Sequence, residues 1–238
     1  MKVDQASLIY GRNPVKEALR SGQIKTVYLT SGFHDQKFLD ELKENGIKPI
    51  IVSNQEMDAS CPGVHQGVAA EIKKYNYSSL EEIIASGKGK KNSIIVMLDG
   101  INDPHNLGAI IRSCDVFGVD GIIVSKHYQV SLTATVAKSS AGAISYMKVA
   151  QVNNLNNAIN TLKENGYWIL STDGLAKQDY NTITYDFPVV VIIGSEGYGV
   201  SQLLLKNSDY IVKIPMYGHV NSLNASVAAG ILLSRIRG

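Results

Sequence analysis

The sequence lacks the features of secreted, membrane-bound and metal-binding proteins. Its 238 residues include only two cysteines, Cys61 and Cys114, which form no Cys-x-x-Cys pair, and its five histidines show no ligand spacing. No apolar run approaches the roughly 20 residues that span a bilayer, and no apolar leader follows Met1. We therefore expect a cytoplasmic protein with reduced thiols, no metal ion and no membrane partner.

An excess of charge of one sign is absent as well. The chain has 23 lysines and arginines against 21 aspartates and glutamates, so its net charge is only +2. This balance excludes a globally basic nucleic-acid-binding module, and any RNA would have to be bound by local patches. The hydrophobic fraction of 45% and the charged fraction of 18% are typical of a globular protein with a sizeable core, in one large domain or two smaller ones.

The common nucleotide-binding fingerprints are missing too. Neither G-x-G-x-x-G nor a Walker A sequence occurs, which argues against an ordinary doubly wound nucleotide enzyme such as a dehydrogenase. The glycine-rich loop that is present, 194–199, has the spacing G-x-x-G-x-G and follows the apolar run 189–193. Its glycines would let the backbone approach a ligand closely. Glu196 in this loop could cap backbone N–H groups, which is the commoner use, or contact a ligand.

A small, basic and polar segment from Ser86 to Asn92 separates two parts of the chain. We place one domain at 1–75, a linker at 76–92 and a second domain at 93–238. The first part predicts a small α/β unit. Its expected helices lie between Asn13 and Gly22 and over 36–44, and its expected strands over 26–30, 49–52 and 67–72.

The second part alternates more regularly. Strands are expected at 94–98, 121–124, 167–171, 189–193 and 210–214. Helices are expected near 107–117, 132–141, 154–165, 200–206 and 222–236. Apolar runs that alternate with amphipathic helices predict a largely parallel sheet covered on both faces.

A polar motif, 103–113, lies between the first two of these strands. Asn106 stands where the loop gives way to a helix, and Arg112 stands two turns into that helix. Polar side chains at the carboxyl end of a parallel strand lie where open α/β sheets bind their ligands. From this motif alone, an ordinary helix N-cap and a solvated surface arginine explain the two residues about as well as a ligand-binding site does.

A further motif, 214–226, joins the last strand to the last helix. We expect Asn221 or Ser222 to cap that helix and Asn224 to lie in its first turn. The helix then continues with small and apolar residues, on which another backbone or a second subunit could pack closely: Ala225, Val227, Ala228, Ala229 and Gly230. An ordinary capped helix would also account for these residues.

Taken together, the three motifs resemble those of the SpoU-type 2′-O-ribose RNA methyltransferases, a branch of the trefoil-knotted methyltransferase superfamily. The matching stretches are 103–123, 192–201 and 214–233. Residues 10–19 and 63–68 also resemble the N-terminal substrate domain of bacterial 23S rRNA guanosine-2′-O-methyltransferases. Asn221 departs from the pattern, because an acidic residue is commoner there.

The resemblance implies a small N-terminal α/β domain that binds the RNA substrate. It also implies a C-terminal α/β methyltransferase domain with a largely parallel sheet, knotted because its C-terminal segment is threaded through a loop. The implied cofactor is S-adenosylmethionine, held mostly by backbone groups in an apolar slot. The residues that would bind it are Gly194, Glu196, Gly197, Ile214, Ser222, Leu223 and Asn224.

The implied reaction is methyl transfer to a ribose 2′-hydroxyl of RNA. The implied target is a guanosine of 23S rRNA. The implied catalytic residues are Asn106, Arg112, Glu196 and Asn224. The candidates for RNA contact are Arg12, His65 and Gln66, which could equally be turn residues. The family forms homodimers, and its tRNA-modifying members usually rely on basic terminal extensions, which favours ribosomal RNA here. A tRNA substrate and a catalytically silent RNA-binding relative stay open as alternatives.

Overall fold

The computed structural model describes residues 7–73, 75–127, 129–220 and 222–238. The strands are β1 (Leu8–Tyr10), β2 (Ile24–Thr30), β3 (Ile50–Val52), β4 (Val68–Ile72), β5 (Ile94–Asp99), β6 (Gly121–Ser125), β7 (Val149–Val152), β8 (Trp168–Thr172), β9 (Gln178–Asp179), β10 (Val189–Gly194) and β11 (Tyr210–Lys213). The α-helices are α1 (Arg12–Arg20), α2 (Gln36–Glu44), α3 (Asn54–Ser60), α4 (Leu80–Gly87), α5 (Pro104–Val116), α6 (Ala134–Ser139), α7 (Leu155–Glu164), α8 (Gln202–Lys206) and α9 (Ala225–Arg237).

The described chain divides into two compact units. Unit 1 comprises the described residues of Met1–Asn76 together with Leu132–Tyr146, and unit 2 comprises those of Tyr77–Ser131 and Met147–Gly238. The inclusion of 132–146 in unit 1 differs from the expected division, which kept 93–238 together.

Unit 1 is built on a four-stranded mixed sheet in the order β1-β4-β2-β3. Strand β4 is antiparallel to β1 and β2, whereas β2 and β3 are parallel. The inserted helix α6 packs on β1, where the Lys138 ammonium lies 4.1 Å from the centroid of the Tyr10 ring. The Tyr146 hydroxyl donates to a carboxylate oxygen of Glu17 over 2.7 Å. These side-chain contacts explain why the segment belongs to unit 1.

The expected linker, 76–92, contains a helix. Ser79 and Glu82 form a capping box at the start of α4, and Ile83 is fully buried in the core of unit 2. The polar composition of 86–92 suggested an unstructured segment. The apolar spacing of Leu80, Ile83 and Ile84 is that of a helix with one buried face, and this face anchors the segment.

Unit 2 is a seven-stranded sheet in the order β7-β6-β5-β10-β8-β11-β9, and every neighbouring pair of strands is parallel. The predicted parallel sheet is thereby confirmed. The central strands β5 and β10 are buried along their apolar runs, as continuous runs of valine and isoleucine favour. Ligands of such sheets bind beyond the carboxyl ends of the strands. Among the described residues, no helix has the length and apolar character needed to span a bilayer.

Candidate active site at the carboxyl edge of the parallel sheet

Three loops at the carboxyl edge of unit 2 carry the polar motifs. The first follows β5 and leads into α5, the second follows β10, and the third follows β11 and leads into α9. Because parallel strands all end at the same edge, residues far apart in sequence meet here.

Asn106, Glu196 and Asn224 form a hydrogen-bonded triangle. The Nδ2 amide of Asn106 donates to Oε1 of Glu196 over 3.0 Å. The Nδ2 amide of Asn224 donates to Oδ1 of Asn106 over 2.9 Å and also to Oε1 of Glu196. Asn106 is 9% exposed, so the triangle has a buried corner. Three of the four predicted catalytic residues are therefore in direct contact.

The start of α9 fixes the direction of the Asn224 amide. Its Oδ1 accepts from the backbone N–H of Ser226 over 2.9 Å and from the Ser226 hydroxyl over 2.6 Å. Since the carbonyl oxygen points at the helix, both protons of Nδ2 are turned toward Asn106 and Glu196. Asn224 itself is thus the N-cap, whereas we had expected Ser222 or Asn221 to cap this helix. Asn221 lies outside the described residues.

Helix α5 begins in a similar way. Asp103 is its N-cap and accepts from the backbone N–H of His105 over 3.0 Å, and Pro104 follows at the first helical position. Asn106 therefore lies in the first turn and not at the cap, so the explanation of Asn106 as a capping residue is wrong. Its side chain is not needed to cap the helix and is available to the triangle.

The glycine loop after β10 folds back on itself. The backbone N–H of Ser195 donates to the carbonyl oxygen of Gly199 over 3.1 Å, and the N–H of Gly199 returns a bond to Ser195 over 2.9 Å. A Cβ at Gly194 would lie 2.0 Å from the carbonyl carbon of Gly199, so only glycine fits there. Gly199 also has a φ of +66°, which favours glycine. This tight turn places Glu196 at the sheet edge.

A cavity of about 480 Å³ opens beside the triangle. Six of the seven residues predicted to bind the cofactor line it, namely Gly194, Glu196, Gly197, Ile214, Ser222 and Leu223. Asn224 is absent from the wall and contacts Glu196 instead. Sequence analysis missed the wall formed by 172–175, the end of β8 and its following loop. The parallel order of the strands was the available signal, because every carboxyl-end loop reaches this edge.

Arg112 is on the same helix as Asn106 but outside the triangle. It lies six residues further along α5, which is about 9 Å along the helix axis at 1.5 Å per residue. Its side chain is exposed, and no hydrogen bond or ion pair joins its guanidinium to another described residue. It is therefore available to an anionic ligand.

The three RNA-contact candidates lie together in unit 1. The backbone N–H of Arg12 donates to Oε1 of Gln66 over 2.9 Å, and the Arg12 guanidinium lies 5.3 Å from the centroid of the Phe33 ring. His65 is held by a 2.8 Å contact between its Nε2 and Asp58, and its Nδ1 accepts a backbone N–H two residues further on. His65 thus braces the turn, while the Arg12 side chain remains exposed.

No group of three or more histidine, cysteine, aspartate or glutamate side chains capable of holding a metal ion occurs among the described residues.

Known proteins resemble this chain over most of its length. Residues 93–234 match the SpoU rRNA methylase family, and residues 8–78 match the substrate-binding domain of RNA 2′-O ribose methyltransferases. The chain is 43% identical over 234 residues to a Staphylococcus haemolyticus protein whose name places it in the TrmH family of tRNA/rRNA methyltransferases, with 96% of this chain and 94% of that protein covered.

Two solved structures show the same architecture. An AdoMet-bound rRNA methyltransferase from Sinorhizobium meliloti is 27% identical with a TM-score of 0.81, covering 97% of this chain and 86% of its own. The SpoU methyltransferase AviRb from Streptomyces viridochromogenes also has a TM-score of 0.81, covers 96% and 87% of the two chains, and at 24% identity supports the fold alone. The family matches and the parallel α/β fold thus define an RNA methyltransferase. The chain belongs to the SpoU family of RNA methyltransferases.

Proposed function

We propose that this protein transfers a methyl group from S-adenosylmethionine to a ribose 2′-hydroxyl of RNA, and that its target is a guanosine of 23S rRNA. The observation that carries the proposal is the Asn106–Glu196–Asn224 triangle at the mouth of the glycine-loop cavity. The family match and the AdoMet-bound neighbour from Sinorhizobium meliloti support it.

The residues of the cavity fit this cofactor. The volume of about 480 Å³ is within the usual range of roughly 300–1,000 Å³ for small-molecule sites. Apolar walls from Ile193, Ile214 and Leu223 suit an adenine ring, and the backbone of the glycine loop offers hydrogen bonds at close range. S-adenosylmethionine, when bound, supplies a methyl group that its sulfonium charge has already activated.

The triangle would orient the ribose. Oε1 of Glu196 is occupied by two amide donors, whereas Oε2 has no hydrogen bond to another described residue. Oε2 can therefore accept a hydrogen bond from the 2′-hydroxyl. Asn106 keeps a second Nδ2 proton, which can be donated to an oxygen of the same ribose. In-line alignment of the reacting centres can supply several kcal/mol of the barrier.

Arg112 would act as a fixed positive charge. A guanidinium keeps its proton in proteins, so an arginine is a poor base. A planar guanidinium can hold the adjacent phosphate and stabilise the negative charge that develops on the 2′-oxygen. A role as the base itself is the alternative. It would give a turnover that rises with pH well above neutrality.

Unit 1 would recognise the RNA through Arg12 and Gln66, with His65 bracing their turn. The protein would act as a homodimer that packs through α9.

The direct test is methylation of RNA from cells that lack the gene. The purified protein, radiolabelled S-adenosylmethionine and separated rRNA and tRNA fractions are mixed, and the modified ribose is mapped. We expect label in 23S rRNA at one guanosine, and a strongly reduced rate of labelling when Arg112 is replaced by alanine. Label in tRNA alone would establish a tRNA ribose 2′-O-methyltransferase, which is the second candidate function. The name of the Staphylococcus haemolyticus relative includes tRNA as well as rRNA.

The third candidate is a catalytically silent RNA-binding protein of the same family, and the complete triangle argues against it. Calorimetry of cofactor binding, together with the methyl-transfer assay, distinguishes it from an active enzyme. Binding of S-adenosylmethionine without transfer to any RNA would support it, and binding of NAD in place of S-adenosylmethionine would overturn the cofactor proposal.

A further inference from the structure

We infer that Tyr198 and Tyr217 are stacking platforms for unpaired bases of the substrate RNA, beside the ribose that is methylated. The inference rests on the proposed function, because that function brings an RNA strand to the mouth of the cavity.

The first observation is exposure. The most exposed large apolar side chains described are Tyr198 at 97%, Tyr217 at 96% and Leu175 at 94%. They lie on the loops that follow β10, β11 and β8, and these three strands are neighbours in the sheet. Scattered exposed apolar residues need no explanation, but a group at one edge indicates a binding surface.

The second observation is the open space around the two tyrosines. Tyr198 lies between Gly197 and Gly199, and Tyr217 is followed by Gly218. A Cβ at any of these glycines would meet nothing within 4 Å, so the space beside each tyrosine is open. Neither tyrosine hydroxyl bonds to another described residue. Each ring is therefore accessible on both faces.

The third observation is position. Tyr198 lines the cavity and is two residues from Glu196, whose carboxylate would receive the ribose. Tyr217 adjoins Met216, another residue of the wall. A ribose held at this mouth must place its own base and the flanking bases against the rim. Because every nucleobase has a π-face, aromatic rings on such a rim hold unstacked bases with little sequence preference.

The position of the two tyrosines favours RNA over a second copy of the chain as the occupant, because Tyr198 lines the cavity to which the proposed function brings an RNA strand. Tyrosine is also enriched in protein interfaces, so the experiment must separate the two occupants. Val220, which is aliphatic and 72% exposed on the same loop as Tyr217, separates the two cases. Its removal weakens an apolar protein contact but not a stack of rings.

The experiment compares full-length variants in two assays. Filter binding measures affinity for unmodified 23S rRNA fragments, and methyl transfer gives kcat and KM. Tyr198→Ala and Tyr217→Ala should each raise the RNA Kd and KM by about tenfold, as loss of one stacked base does. For Tyr217→Ala, which lies outside the cavity wall, the Kd for S-adenosylmethionine by calorimetry should stay unchanged, and the melting temperature should stay unchanged for both variants. Tyr198→Phe and Tyr217→Phe should restore RNA binding, since the ring and not the hydroxyl carries the stack. Val220→Ala should behave like the wild type.

Several results would overturn the inference. They are unchanged RNA affinity in both alanine variants, equal loss in the phenylalanine variants, or a loss in Val220→Ala as large as in the tyrosine variants. Sedimentation of the alanine variants as monomers, when the wild type is a dimer, would assign the rim to a second copy. If the wild type transfers no methyl group but binds RNA in a tyrosine-dependent way, the proposed function fails and the stacking surface stands. If transfer is normal and independent of the tyrosines, only this inference fails.

Discussion

The side-chain amide of Asn224 donates to Oδ1 of Asn106 over 2.9 Å, and the two residues are 118 positions apart in the chain. One is in the first turn of α5 and the other caps α9, so the contact joins the first and the last polar motif. The packing of α9 on α5 brings them together. The site is therefore complete only when the C-terminal helix is in place.

Arg112→Ala should lower turnover by about 10²–10³, the usual loss when one stabilising donor is removed. The melting temperature should hardly change, because the guanidinium is exposed and bonds to no other described residue. Single-turnover methylation, calorimetry with S-adenosylmethionine and thermal unfolding check the three quantities. Arg112→Lys should restore little, since a point charge cannot replace a planar fork. Normal turnover in a destabilised variant would show that Arg112 only braces its helix.

Asn224→Ser separates the two roles of this residue. Serine caps a helix about as well as asparagine but lacks the Nδ2 donor, so stability should be kept while turnover falls about 10²-fold. Asn224→Ala removes both functions and should in addition cost about 1 kcal/mol of stability. Full activity of the serine variant at an unchanged melting temperature would remove Asn224 from the catalytic set.

Neither cysteine should react in the folded protein. Burial raises the pKa of the Cys61 thiol to about 11 and raises the pKa of the Cys114 thiol as well. The thiolate is the reactive form, so at pH 8 a thiol reagent should label no cysteine before unfolding and both afterwards. The same shift predicts that the free energy of unfolding falls as pH rises from 9 toward 11, because the unfolded thiols ionise first. Rapid labelling of the native protein would contradict the burial.

Two truncations test where unit 2 begins. Deletion of 1–76 keeps α4, whereas deletion of 1–92 removes Ile83 from the core. Loss of such a buried side chain costs about 2–5 kcal/mol. We expect the shorter deletion to melt clearly higher and to bind S-adenosylmethionine, and both to methylate RNA poorly. Both lose the partners of 132–146, so the difference between them reports on 77–92, which carries α4 and the ion pair of Lys90 with Asp120. Equal melting temperatures would mean that α4 contributes little.

The homodimer remains a prediction and can be tested on α9. Val227 is half exposed on this helix, beside small residues that allow close packing. Val227→Asp should give a monomer by sedimentation and lower transfer, if the partner completes the site. Leu203→Asp on α8 is the matched control, being an exposed apolar residue elsewhere in unit 2. A monomeric wild type at micromolar concentration would contradict the prediction.

Five of the seven strands of unit 2 were predictable because apolar runs mark them, and β5, β6, β8, β10 and β11 lie within one residue of their predicted positions. The strands β7 and β9 were missed, since neither is a continuous apolar run. The short helices α3 and α4 were missed. Seven or eight residues give too few turns for periodicity to show, although the capping boxes at Ser53 and Ser79 were readable.

The members of the triangle could be named from their motifs, but their contacts could not. Those contacts join residues 90 and 118 positions apart, and only the packing of loops at one sheet edge determines them. The same limit applies to 132–146. Its sequence predicts a helix, but the choice of unit depends on side-chain partners such as Tyr10 and Glu17.

The membership of 132–146 in unit 1 has a consequence for synthesis on the ribosome. When the first 76 residues have been translated, all four strands of the unit 1 sheet exist, but α6, which packs on β1, does not. Another 70 residues (146 minus 76) must be added, which takes about 4–14 s at the usual elongation rate. The N-terminal unit is therefore finished only after β5, α5 and β6 of its neighbour have been made.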